Sequence, residues 1–288
     1  MAQKISRAAD AHFRLKPVCR LGLLLAAGSS LSAGLAHAAE NAQGLSPATS
    51  PTLLAQIVGA EAEGEVAVAD VMSSDAAYLA QLALMRGHLH IGVALYRQGH
   101  VEAAATHMKH PGDELYAGLV PAFKARDVEG FDKALTALTT AVSDGADIAT
   151  VEEALAEVEL GIERARAGVP ARERMDAVTQ FRVIVRLMRT AAEEYAIAVV
   201  DGRVENAHEY QDALGFVRIA REHVERLAED PEQTGREGVS EAIRTAREQL
   251  DAIDDLWVGL MPPDELDRSA ERLYGATARV ELAASAIE

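Results

Sequence analysis

Two points along this chain gather the residue types that can do chemistry. At the first, five of the nine histidines (His88, His90, His100, His107 and His110) fall within 23 residues. Between them, Arg97-Gln98-Gly99-His100 has the form of a helix stop, because glycine adopts the left-handed conformation that ends a helix. A reversal at Gly99 sets His88 and His110, each eleven residues away, on facing helices. His107 shares a face with His110 by the three-residue spacing, and Glu114 follows in the first turn after Pro111. Imidazole is the commonest protein ligand for transition metals, so His88, His107, His110 and Glu114 form a candidate metal site. These donors suit iron, zinc, manganese or Cu(II), and Met85 or Met108 would add softness for Cu(I). The plainer alternative is that the histidines pack and cap. A one-residue error in register turns either helix by roughly 100°, so both readings stand at this level.

The second point is residues 191–217, AAEEYAIAVVDGRVENAHEYQDALGFV. Asp201-Gly202 marks a turn, and Asn206 can cap the returning helix. Reflection about the turn sets Tyr195 opposite Tyr210, with Glu194 and Glu209 beside them. His208 and Asp212 lie within a turn of Tyr210. Carboxylate, phenol and imidazole are hard donors appropriate to ferric iron, so Glu194, Tyr195, His208, Glu209 and Tyr210 form a possible second metal site. The alternative packs the tyrosines inward and leaves the acids solvated.

The elements that must position these groups are helical. From Asp75 onward alanine, leucine, glutamate and arginine recur with helical period, aromatic residues are only 4% of the chain, and long runs lack proline. The punctuation places helices near 74–98, 100–109, 112–126, 128–143, 147–167, 171–200, 206–229, 235–258 and 264–286. Asp127 and Asp147 read as caps, Gly168 and Pro170 as a stop and a start, and Pro262-Pro263 as a break. The fold expected is all-α, with antiparallel helical hairpins forming a bundle or a short helical solenoid. The helical domain spans 74–288, divisible into hairpin-rich halves at 74–168 and 170–288. Gly99-x-Val101-Glu102-x-Ala104 is echoed by Gly202-x-Val204-Glu205-x-Ala207 at the corresponding turns.

Upstream, residues 1–38 read as a signal peptide. Five basic residues precede an apolar run from Leu21 to Leu35, followed by Ala36-His37-Ala38 as a cleavage signal. Residues 39–73, rich in Ala, Gly, Ser and Pro, read as a flexible N-terminal arm. The expected location is therefore periplasmic, without direct membrane insertion. Loss of the leader removes five basic residues and one acidic one, taking the formal net charge from −17 to −21. Such a surface disfavours nucleic acid and attracts cations. The single cysteine, Cys19, lies in the leader, so any metal must be held by imidazole, carboxylate, thioether or phenolate. No phosphate-binding glycine loop, nucleophile elbow or zinc-hydrolase spacing occurs, and no enzymatic activity is expected.

The second hairpin resembles the extracytoplasmic helical region that precedes the membrane part of bacterial FTR1-type iron permeases. The matching residues are Glu194-Tyr195, Ala198-Val199, Gly202, Val204 and Glu209-Tyr210, with Asp212 and Phe216 further on. The resemblance implies a periplasmic role in handling iron for uptake. The transport module of that family is embedded in the membrane, whereas no segment after the leader approaches 18 consecutive apolar residues. Binding, or delivery to a membrane permease or another periplasmic uptake component, is the activity it implies. Arg221-Glu222-x-x-Glu225 also matches an R-E-x-x-E motif of such permeases, but here it sits in a polar helix and reads as coincidence. The expectation is a soluble periplasmic protein binding a transition-metal ion, iron favoured and copper or zinc possible. Its rival is a tetratricopeptide-like interaction module whose histidines are structural.

Overall fold

The computed structural model describes residues 68–288, apart from the side chains of His110, Asp113 and Glu114. The leader and the arm up to residue 67 lie outside the described residues. Helical period and caps fix the first helices. After α1 (Val68–Ser73), Ser74 accepts a hydrogen bond from the Ala77 amide and starts α2 (Asp75–Arg97). Residues 68–73, which the sequence reading assigned to the arm, thus form a helical turn with Val71 buried. Helix α2 stops where expected. Gly99 takes a φ of 85°, and the amides of Gly99 and His100 bond back to Tyr96 and Leu95. Then come α3 (Val101–His110), a π-helical turn (Pro111–Leu115) and α4 (Tyr116–Ala125). No full break separates them: Pro111 has no amide hydrogen, and the wider turn carries the chain past it. Helices α5 (Asp132–Ser143) and α6 (Ile148–Ala167), the latter capped by Asp147, complete the first half.

In the second half the helix expected over 171–200 is broken. Asp176 turns extended (ψ 134°), and its carboxylate caps the Thr179 amide. The result is α7 (Ala171–Met175) and α8 (Ala177–Ala198). Asp201 and Gly202, both at positive φ, form the tight turn between the two-residue strands β1 (Val199–Val200) and β2 (Arg203–Val204). Asn206 then caps α9 (Ala207–Ala228). Helices α10 (Pro231–Thr234), α11 (Val239–Asp251) and α12 (Glu271–Ser285) follow. The expected helices 235–258 and 264–286 are shorter than read. The Val204 amide bonds to the Asp264 carbonyl and the Leu266 amide to the Gly202 carbonyl, so this stretch is held against the hairpin instead of winding.

Helix α8 packs on α9 and α12, and α11 packs on α9 and α12, so the four close into a bundle. Helix α2 lies against both α8 and α9, with α3 and α6 packed on it. It is buried on nearly every face, as a helix apolar all round must be. The fold is all-α, as the sequence indicates, and it is a bundle with an added helical layer.

Glycines set how closely α2 meets its neighbours. A Cβ on Gly215 of α9 would lie 2.6 Å from the Gly87 carbonyl oxygen, so α2 and α9 cross backbone to backbone. One turn along α2, a Cβ on Gly92 would meet the Met108 Cε and sit 3.1 Å from the His107 Cβ. These two approaches bring residues of α2, α3 and α9 to one point.

Candidate metal centre

That point is Asp212, whose carboxylate is 1% exposed. His88, beside the Gly87 crossing, donates from Nδ1 to Asp212 Oδ1 at 2.6 Å. His107, beside the Gly92 approach, donates from Nδ1 to the same oxygen at 3.0 Å. His208, one turn before Asp212 on α9, brings its Nε2 to 3.1 Å from the other oxygen, Oδ2, but without the alignment of a hydrogen bond. Among the described residues Asp212 Oδ2 has no hydrogen-bond donor. The His107 and His208 rings stack with centroids 4.2 Å apart, and the His88 and Phe216 rings meet edge to face with centroids 4.9 Å apart. Glu209, 6% exposed, accepts from the Asn206 amide on Oε1 at 3.0 Å.

The protonation of His107 follows from its partners. Its Nε2 faces Gln211 Oε1 at 2.8 Å, and the Gln211 amide is oriented by donating to the Leu260 carbonyl at 3.1 Å. A ring whose two nitrogens both face acceptors must donate from both, so His107 is an imidazolium. Burial alone would push its pKa down, but the Asp212 charge and the hydrogen bonds that His107 donates to Asp212 and Gln211 outweigh burial and raise it above 6.5. Burial alone would raise the Asp212 carboxyl. The charges of His88 and His107 outweigh it and hold the group far below its ordinary 3.8.

These opposed shifts define a pH window. The Asp212 contribution to stability is present above 3.8 and is lost as pH falls through the depressed value. The His107 contribution is present below 6.5 and is lost as pH rises through the raised one. Both are complete between these limits. The stability lost in Asp212→Asn, measured by urea unfolding, is therefore expected to be larger at about pH 5.5 than at about pH 9. Equal losses at both would mean that His107 keeps one charge state across this range.

The two sites read from the sequence contribute to one centre. His88 and His107 come from the first, His208 and Glu209 from the second, and two trios satisfy metal-ligand spacing: His88, His107 and Asp212, and His208, Glu209 and Asp212. In each trio the donor atoms lie within 4.8 Å of one another. His110 ends α3 and Glu114 lies in the π-helical turn, but their side chains are outside the described residues. Tyr195 and Tyr210 do face each other, with ring centroids 6.1 Å apart. Their hydroxyls, however, are spent on backbone: Tyr195 donates to the Leu256 carbonyl at 3.1 Å, and Tyr210 accepts from the Val258 amide at 2.9 Å. Trp257 packs against both rings and donates to the Tyr210 carbonyl. Burial pushes both phenols up, which opposes phenolate ligation. Glu194 is buried but belongs to neither trio.

Asp212 is the residue that the sequence reading noticed and left out. The four-residue spacing from His208 was its local signal, but the link to His88 spans 124 residues and no local pattern reports it. Met85 and Met108 are buried, and Met108 fills the space over Gly92. Arg221, Glu222 and Glu225 pair with Asp251 and Asp254, Arg86, and Arg247, respectively. That motif therefore holds α9 to its neighbours.

A family model described as the iron permease-associated 4-helix bundle domain matches residues 170–287. The match includes the whole hairpin on which the sequence resemblance rests, and it relates this part of the chain to iron permeases. Its four long helices are α8, α9, α11 and α12, the four that close into the bundle. Asp212, His208 and Glu209 lie inside the match; His88 and His107 lie outside it. No curated protein and no solved structure matches the chain. No helix of the described residues is long and apolar enough to cross a membrane.

Proposed function

With residues 170–287 as an iron permease-associated four-helix bundle, we propose that this chain is a soluble, exported protein that binds a transition-metal ion at Asp212. The ion is cargo, with iron first and copper or zinc as alternatives. The role is uptake, by delivery to a membrane permease or another periplasmic component, with no turnover of substrate. The observation that carries the reading is a buried carboxylate facing three imidazoles on the bundle's own helix α9 and the layer packed against it. Imidazole nitrogen and carboxylate oxygen suit Fe, Zn, Mn and Cu(II). The Asp212 Oδ2 atom, buried and without a hydrogen-bond donor among the described residues, adds an acceptor that a cation would satisfy.

Titration of the metal-stripped protein with Fe(II), Fe(III), Cu(II) and Zn(II), followed by heat and thermal unfolding, tests this. A metal at 100 times its dissociation constant should stabilise the fold by about 2.7 kcal/mol. Binding should release protons, since His107 must give up the one on Nδ1. His107→Ala should lose both effects. If no metal stabilises the protein, or if His107→Ala is stabilised as much as the parent, the rival reading stands, in which the histidines only tie helices together.

A further inference from the structure

One residue, Asp212, belongs to both candidate trios, and its two oxygens meet different imidazoles. Oδ1 takes His88 and His107, while Oδ2 lies beside His208 Nε2 at 3.1 Å with no hydrogen bond to satisfy it. From this we infer that the centre holds two metal ions bridged by the Asp212 carboxylate, an inference that rests on the metal-binding reading above. His88, His107 and Asp212 Oδ1 hold the first ion, and His208, Glu209 and Asp212 Oδ2 hold the second.

The stacked His107 and His208 rings support the pairing. Their centroids are 4.2 Å apart, and each has a nitrogen within 3.1 Å of a different oxygen of one carboxylate. Two-metal sites place their ions roughly 3.5–4 Å apart, and the stacking sets the two imidazoles side by side on that scale. The charges also favour two ions over one. Asp212 and Glu209 are both buried acids close to His107, and each added divalent cation offsets negative charge that is already out of water. The two positions differ in access. His88 and His107 are buried, whereas the His208 side chain is 21% exposed, so the second ion is the one nearer to solvent and to exchange.

Iron counting on the metal-free protein after anaerobic dialysis against Fe(II) distinguishes the possibilities. Two ions per chain are expected, falling to one in His208→Ala and in Glu209→Gln, with far-ultraviolet dichroism unchanged. Loading with Cu(II) gives an independent readout on the unaltered protein. The first equivalent should give an isolated Cu(II) resonance signal, and the second should broaden or abolish it by coupling across the carboxylate. No retained iron and no bound copper would overturn the metal reading itself. A single ion in the parent protein, two ions unaffected by either substitution, or two additive, uncoupled Cu(II) signals would overturn the bridge alone.

Discussion

Asp212→Ala should lower the stability of the metal-free protein by about 3–5 kcal/mol, the range found when one partner of a buried ion pair is removed. The reason is what would be left behind. His107 is fully buried and faces two acceptors, and without Asp212 it becomes either a buried cation with no counter-charge or a ring with an unsatisfied donor. His88 loses its acceptor at the same time. For a domain of this size the shift in unfolding temperature is on the order of 10 °C. Asp212→Asn keeps the volume and one acceptor oxygen, so it should cost less stability while still removing the carboxylate shared by both trios. Thermal unfolding followed at the helical dichroism band measures both. A loss under about 1 kcal/mol in Asp212→Ala would mean that the imidazoles find other partners and that the centre does little to hold α2, α3 and α9 together.

Gly215→Ala is the second large effect expected. The added methyl would stand 2.6 Å from the Gly87 carbonyl oxygen, 2.8 Å from Ile91 Cγ1 and 3.0 Å from the Gly87 carbonyl carbon. Two of these atoms are backbone, so the helices themselves must part. Overpacking of this kind costs about 1–3 kcal/mol, and the upper end is expected where no side chain can turn aside. The displacement also reaches the centre, because Asp212 lies three residues before Gly215 and His88 directly follows Gly87. Metal affinity should therefore fall along with stability. Gly92→Ala is the control. There the new methyl overlaps mainly the Met108 Cε, the far end of an adaptable side chain. A smaller loss is expected than for Gly215→Ala, measured by urea unfolding. Equal losses would mean that the α2–α9 backbone crossing is no tighter a constraint than the α2–α3 contact at Gly92.

Several features of the fold are legible in the sequence because they are local. Gly99 stops α2, Asp147 and Asn206 cap α6 and α9, and Asp201-Gly202 turns the hairpin, each through groups within a few residues. The lengths of the helices after Asp176 and Asp251 are not, because they depend on a side-chain cap that competes with helix continuation and on pairing between residues 264–266 and the β-hairpin. The centre divides in the same way. His107 and His208 stand out by residue type, and reflection about Gly99 correctly puts α2 beside α3. What reflection within a hairpin cannot supply is the contact between hairpins. The α2–α9 crossing brings His88 and His107 to Asp212, and its only marks in the sequence are glycines at 87 and 215 inside helices that would otherwise exclude them. The tyrosines of the second hairpin face each other as reflection indicates, yet the segment around Trp257 takes up their hydroxyls, and nothing in residues 191–217 announces it.

Neither hairpin owns the centre. The links from Asp212 to His107 and His88 span 105 and 124 residues, so forming them closes long loops at a cost in chain entropy. A chain still folding offers scattered single donors, which hold a cation weakly. Only one that has docked α2 and α3 onto α9 presents them together. Metal loading as proposed would thus act as a check on completed folding, since partly folded copies would lack the assembled donors.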